Sequence, residues 1–282
     1  MAAPGAIRPL VRWYGGKALM SHWILTLLPP HRVYVEPFGG SAAVLLRKPR
    51  SEVEVLNDLD AELANLYRVA RDPGLCGQLG MLCALTPFSA AEFKLACEPV
   101  EGDRPVERAR RLLVRHYMGR ASDARRPASR TGFRSYSGDA RSVPAKDWYT
   151  YSDGIGLIGA RLRDVVVECG DAVDVMRRHD RADALHYVDP PYVPSTRKDP
   201  SSGYRCELDE AGHVRLLDAL LGLKGAVVLS GYASPLYDEA LAGWRRVTRQ
   251  VRDQAMGVRE EVLWISPRAG AVARQPDLFT AA

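Results

Sequence analysis

Runs of apolar and β-branched residues alternate with segments of helical spacing along most of the chain. Short β-rich runs predict strands at 32–36, 52–56, 165–168, 185–188, 225–230, 244–251 and 261–265. Helical spacing follows several of these runs, as at 63–70 and 207–221. Strands that alternate with helices form a largely parallel sheet, and the last two runs predict an antiparallel hairpin at its edge. The pattern therefore indicates an α/β fold.

The pattern changes in the middle of the chain. Residues 105–118 predict an amphipathic helix, whereas residues 119–146 are poor in apolar side chains and rich in Arg, Ser and Gly. A long polar excursion inside a globular chain is usually functional or disordered. We predict a discontinuous catalytic domain at 1–71 and 155–282, interrupted by a smaller, mostly helical insertion at 72–154.

Bulk composition narrows the class of protein. Hydrophobic residues make up 46% and charged residues 26% of the 282 positions, which is ordinary for a globular protein. No apolar run approaches the ~20 residues of a membrane span, and no export signal is present. The five cysteines are scattered, without a C-x-x-C pair. We expect a cytoplasmic protein with no membrane segment, no disulfide framework and no zinc site.

Positive charge is concentrated in one segment. The net charge is +5, yet residues 104–146 carry twelve Lys or Arg against three acids, a local +9, so the remainder carries −4. Aromatic residues are interleaved with these arginines, as in segments that contact phosphates and stack on bases. The alternatives are a solvated basic surface and a flexible loop. We predict DNA contacts from Arg120, Arg125, Arg126, Arg130 and Arg134.

The stretch 185–192 combines an apolar strand, a rigid acidic turn and an aromatic residue. Pro190 and Pro191 have no backbone donor, so the turn presents carbonyl oxygens. Asp189, when ionised, only accepts hydrogen bonds, and Tyr192 offers a flat ring for stacking. Such a site suits a ligand that donates, such as an exocyclic amine. The alternative is an ordinary strand-end turn in which Asp189 caps the next element.

The chemistry of aromatic amines explains why such a turn is useful. An aromatic amine is a poor nucleophile because its lone pair is conjugated into the ring. Two acceptors around its hydrogens favour a tetrahedral nitrogen and stabilise the positive charge that develops there. The turn therefore indicates catalysis by a fixed electrostatic environment.

Two glycine-containing stretches near the N-terminus predict close approach of backbone to a ligand. Residues 13–17 combine a tryptophan, two glycines and a lysine, which suit an aromatic wall beside a carboxylate contact. The strand that ends at Glu36 runs into a glycine loop at 37–41 and then into a predicted helix at 42–47. Strand, glycine loop and helix is an arrangement that binds nucleotide-like ligands. A structural turn is the alternative for both stretches.

Acids stand directly after the predicted strands. Asp58 lies at the end of the second strand, where Rossmann-type folds hold ribose hydroxyls. Asp60 is better explained as the N-cap of the next helix. Asp171 is a candidate acceptor for the amine of an adenine, and N-capping is the alternative for Asp58 and Asp171 alike.

The polar segment 193–206 follows the acidic turn. It contains Ser195, Thr196 and Arg197 in a run without apolar periodicity. We expect a mobile loop over the site that touches the DNA backbone.

Three motifs together resemble those of one enzyme family. The motifs RWYGGK (12–17), EPFGGSAAVL (36–45) and DPPY (189–192) occur in this order, with the insertion between the second and the third. The chain resembles the Dam-like, D12 class DNA adenine-N6 methyltransferases of phages and prophages. Ala42 departs from the family's F-x-G-x-G motif, in which a second glycine usually stands there.

The resemblance implies a fold, a cofactor and its contacts. The fold is a Rossmann-like methyltransferase sheet with an antiparallel C-terminal hairpin, and the cofactor is S-adenosylmethionine. Trp13 and Lys17 would hold its methionine end, Asp58 its ribose and Asp171 its adenine. The full set of expected contacts is Trp13, Lys17, Glu36, Pro37, Phe38, Gly40, Asp58, Asp171 and Asp189.

The resemblance also implies the substrate and the partners. An adenine flipped out of double-stranded DNA would stack on Tyr192, with its amine held by Asp189 and the Pro190 carbonyl, beside Pro191. No metal is needed, since the sulfonium is already activated. We expect a monomer in the cytoplasm of a bacterial host or phage-infected cell, and a restriction endonuclease is a candidate partner.

Other functions stay open at this point. A cytosine-N4 methyltransferase more often carries Ser in place of Asp189, and protein-glutamine methyltransferases prefer Asn there. A DNA-binding protein that has lost catalysis is a third alternative, against which the intact Asp189 and Tyr192 argue.

We predict that neutralising Arg125, Arg126 and Arg130 together weakens DNA binding and flattens its salt dependence, because each phosphate contact releases counterions. Dissociation constants measured over a series of salt concentrations check this. An unchanged slope of log affinity against log salt would count against the segment as the DNA contact.

Overall fold

The computed structural model of the chain describes residues 7–13, 15–120, 132–135, 143–152, 154–197, 204–252 and 258–269. Within these ranges the strands are β1 (Val33–Glu36), β2 (Val53–Asn57), β3 (Val165–Glu168), β4 (Ala184–Val188), β5 (Ala226–Gly231), β6 (Arg245–Arg252) and β7 (Val258–Ile265). They lie close to the strands predicted from the sequence.

The α-helices in the same ranges are α1 (Ser21–Leu25), α2 (Ala61–Arg71), α3 (Pro73–Leu85), α4 (Ala90–Ala96), α5 (Pro105–Met118), α6 (Pro144–Ser152), α7 (Ile155–Leu162), α8 (Ala172–Arg178), α9 (Glu210–Gly222) and α10 (Pro235–Ala240). Short 3₁₀ turns cover Lys17–Leu19 and Pro194–Thr196. None of the helices in the described ranges is long and apolar enough to cross a membrane.

One sheet holds the strands in the order β3-β2-β1-β4-β5-β7-β6. Strands β1 to β5 run parallel, whereas β7 pairs antiparallel with both β5 and β6. The strand order reverses between β1 and β4, and in such sheets the carboxyl ends of the strands flank a ligand crevice at that point. The predicted α/β sheet with an antiparallel C-terminal hairpin is confirmed.

The centre of the sheet is buried on both faces. Every residue of β1, β4 and β5 is buried, which is the pattern of parallel strands covered by helices on each side. The hydrophobic core is continuous with the mid-chain helices, since Leu113, Trp148 and Tyr151 belong to the same cluster as Tyr34 and Leu185. The domain boundaries at 72 and 154 stay a prediction.

One predicted helix is absent from the structure, and two helices were not identified from the sequence. Residues 42–47 form turns, because Ala42 has a φ of 52° and the backbone N–H of Leu45 donates to the Glu36 carboxylate. The helices α3 and α4 were missed, because α3 contains no charged residue and three glycines, so no polar face marks its period. Asp60 caps α2 as predicted, with its side chain accepting from the N–H of Glu62.

Much of the basic charge on α5 is neutralised inside the protein. Arg110 and Arg111 are buried and pair with Glu107, while Arg108 pairs with Glu62 of α2. These arginines of α5 form ion pairs with neighbouring acids. Less of the positive charge in residues 104–146 is therefore available to a polyanion than the composition indicates.

A buried ion cluster joins β2 to its neighbours. Glu54 is 3% exposed and accepts from Lys48 Nζ at 2.6 Å and from Arg161 Nη1 at 2.6 Å. Burial acts to raise the pKa of Glu54, but the hydrogen bonds from Arg161 and Lys48 outweigh it and lower the pKa below its usual value. Removing the charge would leave two buried cations without an anionic partner.

We predict that Glu54→Gln lowers the free energy of unfolding by about 3 kcal/mol at neutral pH. Because the pKa is lowered in the folded state, this contribution is present above the unfolded pKa of about 4.3 and is lost as pH falls through the lower folded value. Urea unfolding at several pH values measures the difference, which should shrink in acid. Glu52→Gln is the control, since Glu52 is exposed and its replacement should leave the unfolding free energy nearly unchanged.

Candidate functional site

A cleft of about 1030 Å³ opens at the carboxyl ends of β1 to β4. Many of the residues singled out in the sequence line it, namely Trp13, Lys17, Glu36, Pro37, Phe38, Gly40, Asp58, Asp171, Asp189 and Pro191. Parallel strands place their carboxyl ends at one edge, so residues far apart in the chain meet there.

Asp189 follows β4 directly and is held from two sides. Its Oδ1 lies 2.8 Å from Lys17 Nζ and accepts from Ser230 Oγ at 2.8 Å. The Tyr187 hydroxyl lies 3.3 Å from Ser230 Oγ and forms a hydrogen bond with it. Both contacts to Asp189 from the described residues converge on Oδ1, which leaves Oδ2 with acceptor capacity.

Lys17 is a buried cation among acceptors. Its side chain is only 4% exposed, and its Nζ also donates to the Gly15 carbonyl at 2.9 Å and lies 3.6 Å from Glu261. Burial lowers the pKa of Lys17, but the carboxylates of Asp189 and Glu261 more than offset this and raise it above its usual value. The ammonium thus joins two carboxylates, and its predicted contact with a methionine carboxylate stays a prediction.

Tyr192 lies inside the protein beside Asp189. It is 7% exposed, its hydroxyl donates to Glu261, and Lys17 Nζ lies 4.7 Å from its ring centre. Tyr232 meets the ring edge-on at 4.6 Å between centroids. Glu261 was missed in the sequence, because a Glu-Glu pair in an edge hairpin resembles an ordinary solvated strand.

The glycine loop and Asp58 form one unit. The carboxylate of Asp58 accepts from the N–H of Gly40 and from the N–H of Asp60, each at 2.8 Å. Burial raises the pKa of Asp58 to about 6. Gly40 and Ala42 both have positive φ, 49° and 52°, so Ala42 adopts the backbone conformation that glycine favours.

Two further side chains fix the strand ends. Glu36 is buried and accepts from the Tyr34 hydroxyl and from the Leu45 N–H, and burial raises its pKa to about 8. Asn57 donates to the carbonyls of Pro37 and Gly170, thereby joining the ends of β1, β2 and β3. Sequence reasoning missed Asn57, although its place directly before Asp58 at a strand end was a signal.

Asp171 serves as a helix cap in this structure. Its carboxylate accepts from the N–H groups of Val173 and Asp174 and pairs with Arg215 at 2.8 Å. The alternative considered from the sequence is thus realised, and contact with a cofactor adenine stays a prediction.

The residues predicted to contact DNA differ in their exposure to solvent, and several of them lie outside the described part of the chain. Arg197 is buried and donates to the Tyr192 carbonyl and to Glu207, whereas Ser195 is exposed and Thr196 is half-buried. Arg120 and Arg134 lie at an antiparallel bridge between Gly119 and Phe133. The remaining candidates, Arg125, Arg126 and Arg130, lie outside the described residues. The part of the chain that the structure describes holds no group of three or more His, Cys, Asp or Glu suited to a metal ion.

We predict that Gly40→Ala disturbs the cleft. A Cβ at this position would lie 2.9 Å from Trp13 Cδ1 and Nε1, and the φ of 49° disfavours a side chain. We expect a loss of about 1–3 kcal/mol in unfolding free energy and a change in tryptophan fluorescence. Gly77→Ala in α3 is the control, because its Cβ meets nothing within 4 Å and alanine favours a helix. Equal stability of both variants would contradict this account.

Comparison with known proteins identifies the family. A family model described as D12 class N6 adenine-specific DNA methyltransferase matches residues 13–86 and 127–251, more than half of the chain. The Type II methyltransferase M1.LlaDCHI of Lactococcus lactis subsp. cremoris is 28% identical over 255 residues, covering 83% of this chain and 84% of that protein. The family predicted from the motifs is confirmed, while a phage or prophage origin stays a prediction. The matched region contains the glycine loop, Asp58 and the DPPY motif, and the chain belongs to the D12 class of N6 adenine-specific DNA methyltransferases.

Proposed function

We propose that this chain transfers a methyl group from S-adenosylmethionine to N6 of an adenine rotated out of double-stranded DNA. Membership of the family supports DNA adenine methylation. The observation that carries the site assignment is that Asp189 and Asp58 line one cleft. A methyl donor bound beside Asp58 and the target amine bound beside Asp189 would therefore lie in the same cleft, as direct methyl transfer between them requires.

The residues of the cleft fit S-adenosylmethionine. Gly40 has no Cβ, so the Trp13 ring packs directly against the glycine loop and forms an aromatic wall of the cleft. The two oxygens of Asp58 each accept one backbone N–H and retain lone pairs for ribose hydroxyls. Other acidic side chains along the cleft offer further acceptor oxygens. The cofactor, when bound, supplies an activated methyl group on a positively charged sulfur.

Asp189 is proposed to accept a hydrogen bond from the target amine through Oδ2. Lys17 and Ser230 hold Oδ1, so the carboxylate cannot rotate without breaking both contacts. The Pro190 carbonyl is the second proposed acceptor, and Pro191 keeps the turn rigid. Positive charge that develops on the nitrogen is then met by acceptors already in place.

Tyr192 is proposed to receive the flipped base by stacking. A base inside a duplex cannot reach the cleft, so it has to leave the helix first. Because the ring is 7% exposed, the surface above it has to open as the base arrives. The hydroxyl contact to Glu261 and the edge contact with Tyr232 would keep the ring in place during this step.

DNA contacts are proposed for the segment that follows the DPPY motif and for the basic segment. Arg120, Arg134, Ser195 and Thr196 are candidates for phosphate contacts. Arg197 is better suited to shaping the loop, because its guanidinium is already bound to the Tyr192 carbonyl and Glu207. By analogy with the named Type II relative, we propose modification at a specific DNA sequence.

We predict that Asp189→Ala lowers methyl transfer by at least about 100-fold while leaving cofactor binding measurable, because the variant loses the acceptor but keeps the remaining cleft. Incorporation of labelled methyl groups into unmethylated genomic DNA measures the first, and calorimetric titration with S-adenosylmethionine measures the second. Chromatography of the hydrolysed product should show N6-methyladenine.

Asp164→Ala is the matched control, since Asp164 is exposed and lies outside the cleft. It should retain wild-type activity. Full activity of Asp189→Ala would refute the proposed role, and N4-methylcytosine in the product would refute the proposed substrate.

A further inference from the structure

Glu261 is a buried carboxylate that takes no direct part in the proposed reaction. It lies on β7, where it pairs with Arg249 of β6, one residue before Val262 pairs with Gly231 at the end of β5. This position puts it at the same edge of the sheet as Asp189. It is 2% exposed, in contrast to its neighbour Glu260, which is exposed.

Glu261 contacts both residues that flank Asp189. The Tyr192 hydroxyl donates to Oε1 of Glu261, and Lys17 Nζ lies 3.6 Å from the same oxygen. Lys17 Nζ in turn lies 2.8 Å from Asp189 Oδ1. One carboxylate oxygen therefore fixes the aromatic ring directly and the acidic group through one intervening ammonium.

A neutral residue could not supply the charge that faces Lys17. Burial raises the pKa of Glu261, while Lys17 and the Tyr192 hydroxyl act to lower it. A glutamine oxygen could still accept from the Tyr192 hydroxyl, but this hydrogen bond would no longer be charge-assisted, and the buried ammonium would lose one of its two carboxylate partners. The Lys17 ammonium would then interact only with Asp189 and the Gly15 carbonyl. The Asp189 carboxylate would shift with it, and its distance to the target amine would change.

We propose that Glu261 is a positioning residue that sets the separation between the Tyr192 ring and the Asp189 carboxylate. This inference rests on the proposed function, in which the ring receives the adenine and the carboxylate accepts from its amine. Glu261 touches neither substrate nor cofactor in this proposal. Its effect is exerted through Tyr192 and Lys17, so it should alter the rate of the bound complex and leave cofactor affinity nearly unchanged.

The test is a steady-state comparison of Glu261→Gln with the wild type. We expect kcat to fall by about 10-fold to 100-fold, because small misplacements of reacting groups have effects of this size. KM for S-adenosylmethionine and the dissociation constant of S-adenosylhomocysteine should change by less than about threefold. The control is Glu260→Gln, an exposed neighbour with contacts to Arg246 and Gln250, which should match the wild type.

A double-mutant cycle separates positioning from general stability. Tyr192→Phe removes the hydroxyl that Glu261 accepts from and keeps the ring. If Glu261 acts through this bond, the kcat losses of the two single variants should not multiply in the double variant. Tyr192→Phe alone still tests the bond, through its own loss of kcat, where Glu261→Gln does not fold.

Several outcomes would overturn the positioning role. They are a kcat of Glu261→Gln within about twofold of the wild type, losses that multiply in the double variant, or a rise in cofactor KM as large as the fall in kcat. Asp189→Ala measured in parallel distinguishes the two proposals. An active Asp189→Ala contradicts the proposed function itself, whereas an inactive Asp189→Ala beside a fully active Glu261→Gln contradicts only the role of Glu261.

Discussion

The cluster of buried side chains around Asp189 depends on one ammonium group. Lys17 lies between Asp189 and Glu261, and the three residues come from the N-terminal segment, the end of β4 and the C-terminal strand β7. Removing an ammonium from water is strongly unfavourable unless carboxylates and other acceptors surround it. The same carboxylates would repel each other without it. Each of the three segments therefore needs the other two in order to stay in place.

The sheet order explains why so many acidic side chains collect at one edge. Because β1 to β5 are parallel, their carboxyl ends project in one direction, and four of these ends carry Glu36, Asp58, Asp171 and Asp189 at or just after the last residue of the strand. Asn57 and the backbone of the glycine loop use hydrogen bonds to hold these ends in register. The cleft is therefore lined by acceptor groups from four strand ends that are distant in the sequence.

The basic segment at 104–146 shows that a count of charged residues does not give the charge available to a partner. Counting charges assigns twelve basic residues to 104–146, but the arginines of α5 pair with Glu62, Glu92 and Glu107. Their first effect is to join α5 to α2 and α4. Trp13 of the cleft stacks on His116 of α5, so this helix also supports one wall of the cleft.

The amino-acid pattern by itself determined the α/β alternation, the strand positions, the glycine loop, the DPPY turn and the family. These features depend on local periodicity and on contiguous motifs, which can be identified from the sequence alone. It did not show that α3 is a helix, because α3 has no charged residue and contains three glycines, so no polar face marks its period. It also missed α4, which at seven residues is too short to show a helical period.

Only the tertiary structure decided which side chains meet. Glu261 and Ser230 lie far from the motifs in the chain and carry no signal of their own, yet each contacts a motif residue. They are placed there by the order of the strands, in which β7 lies antiparallel between β5 and β6. Partners separated by tens or hundreds of residues are selected by packing and charge pairing in three dimensions, and local sequence has no means to express that choice.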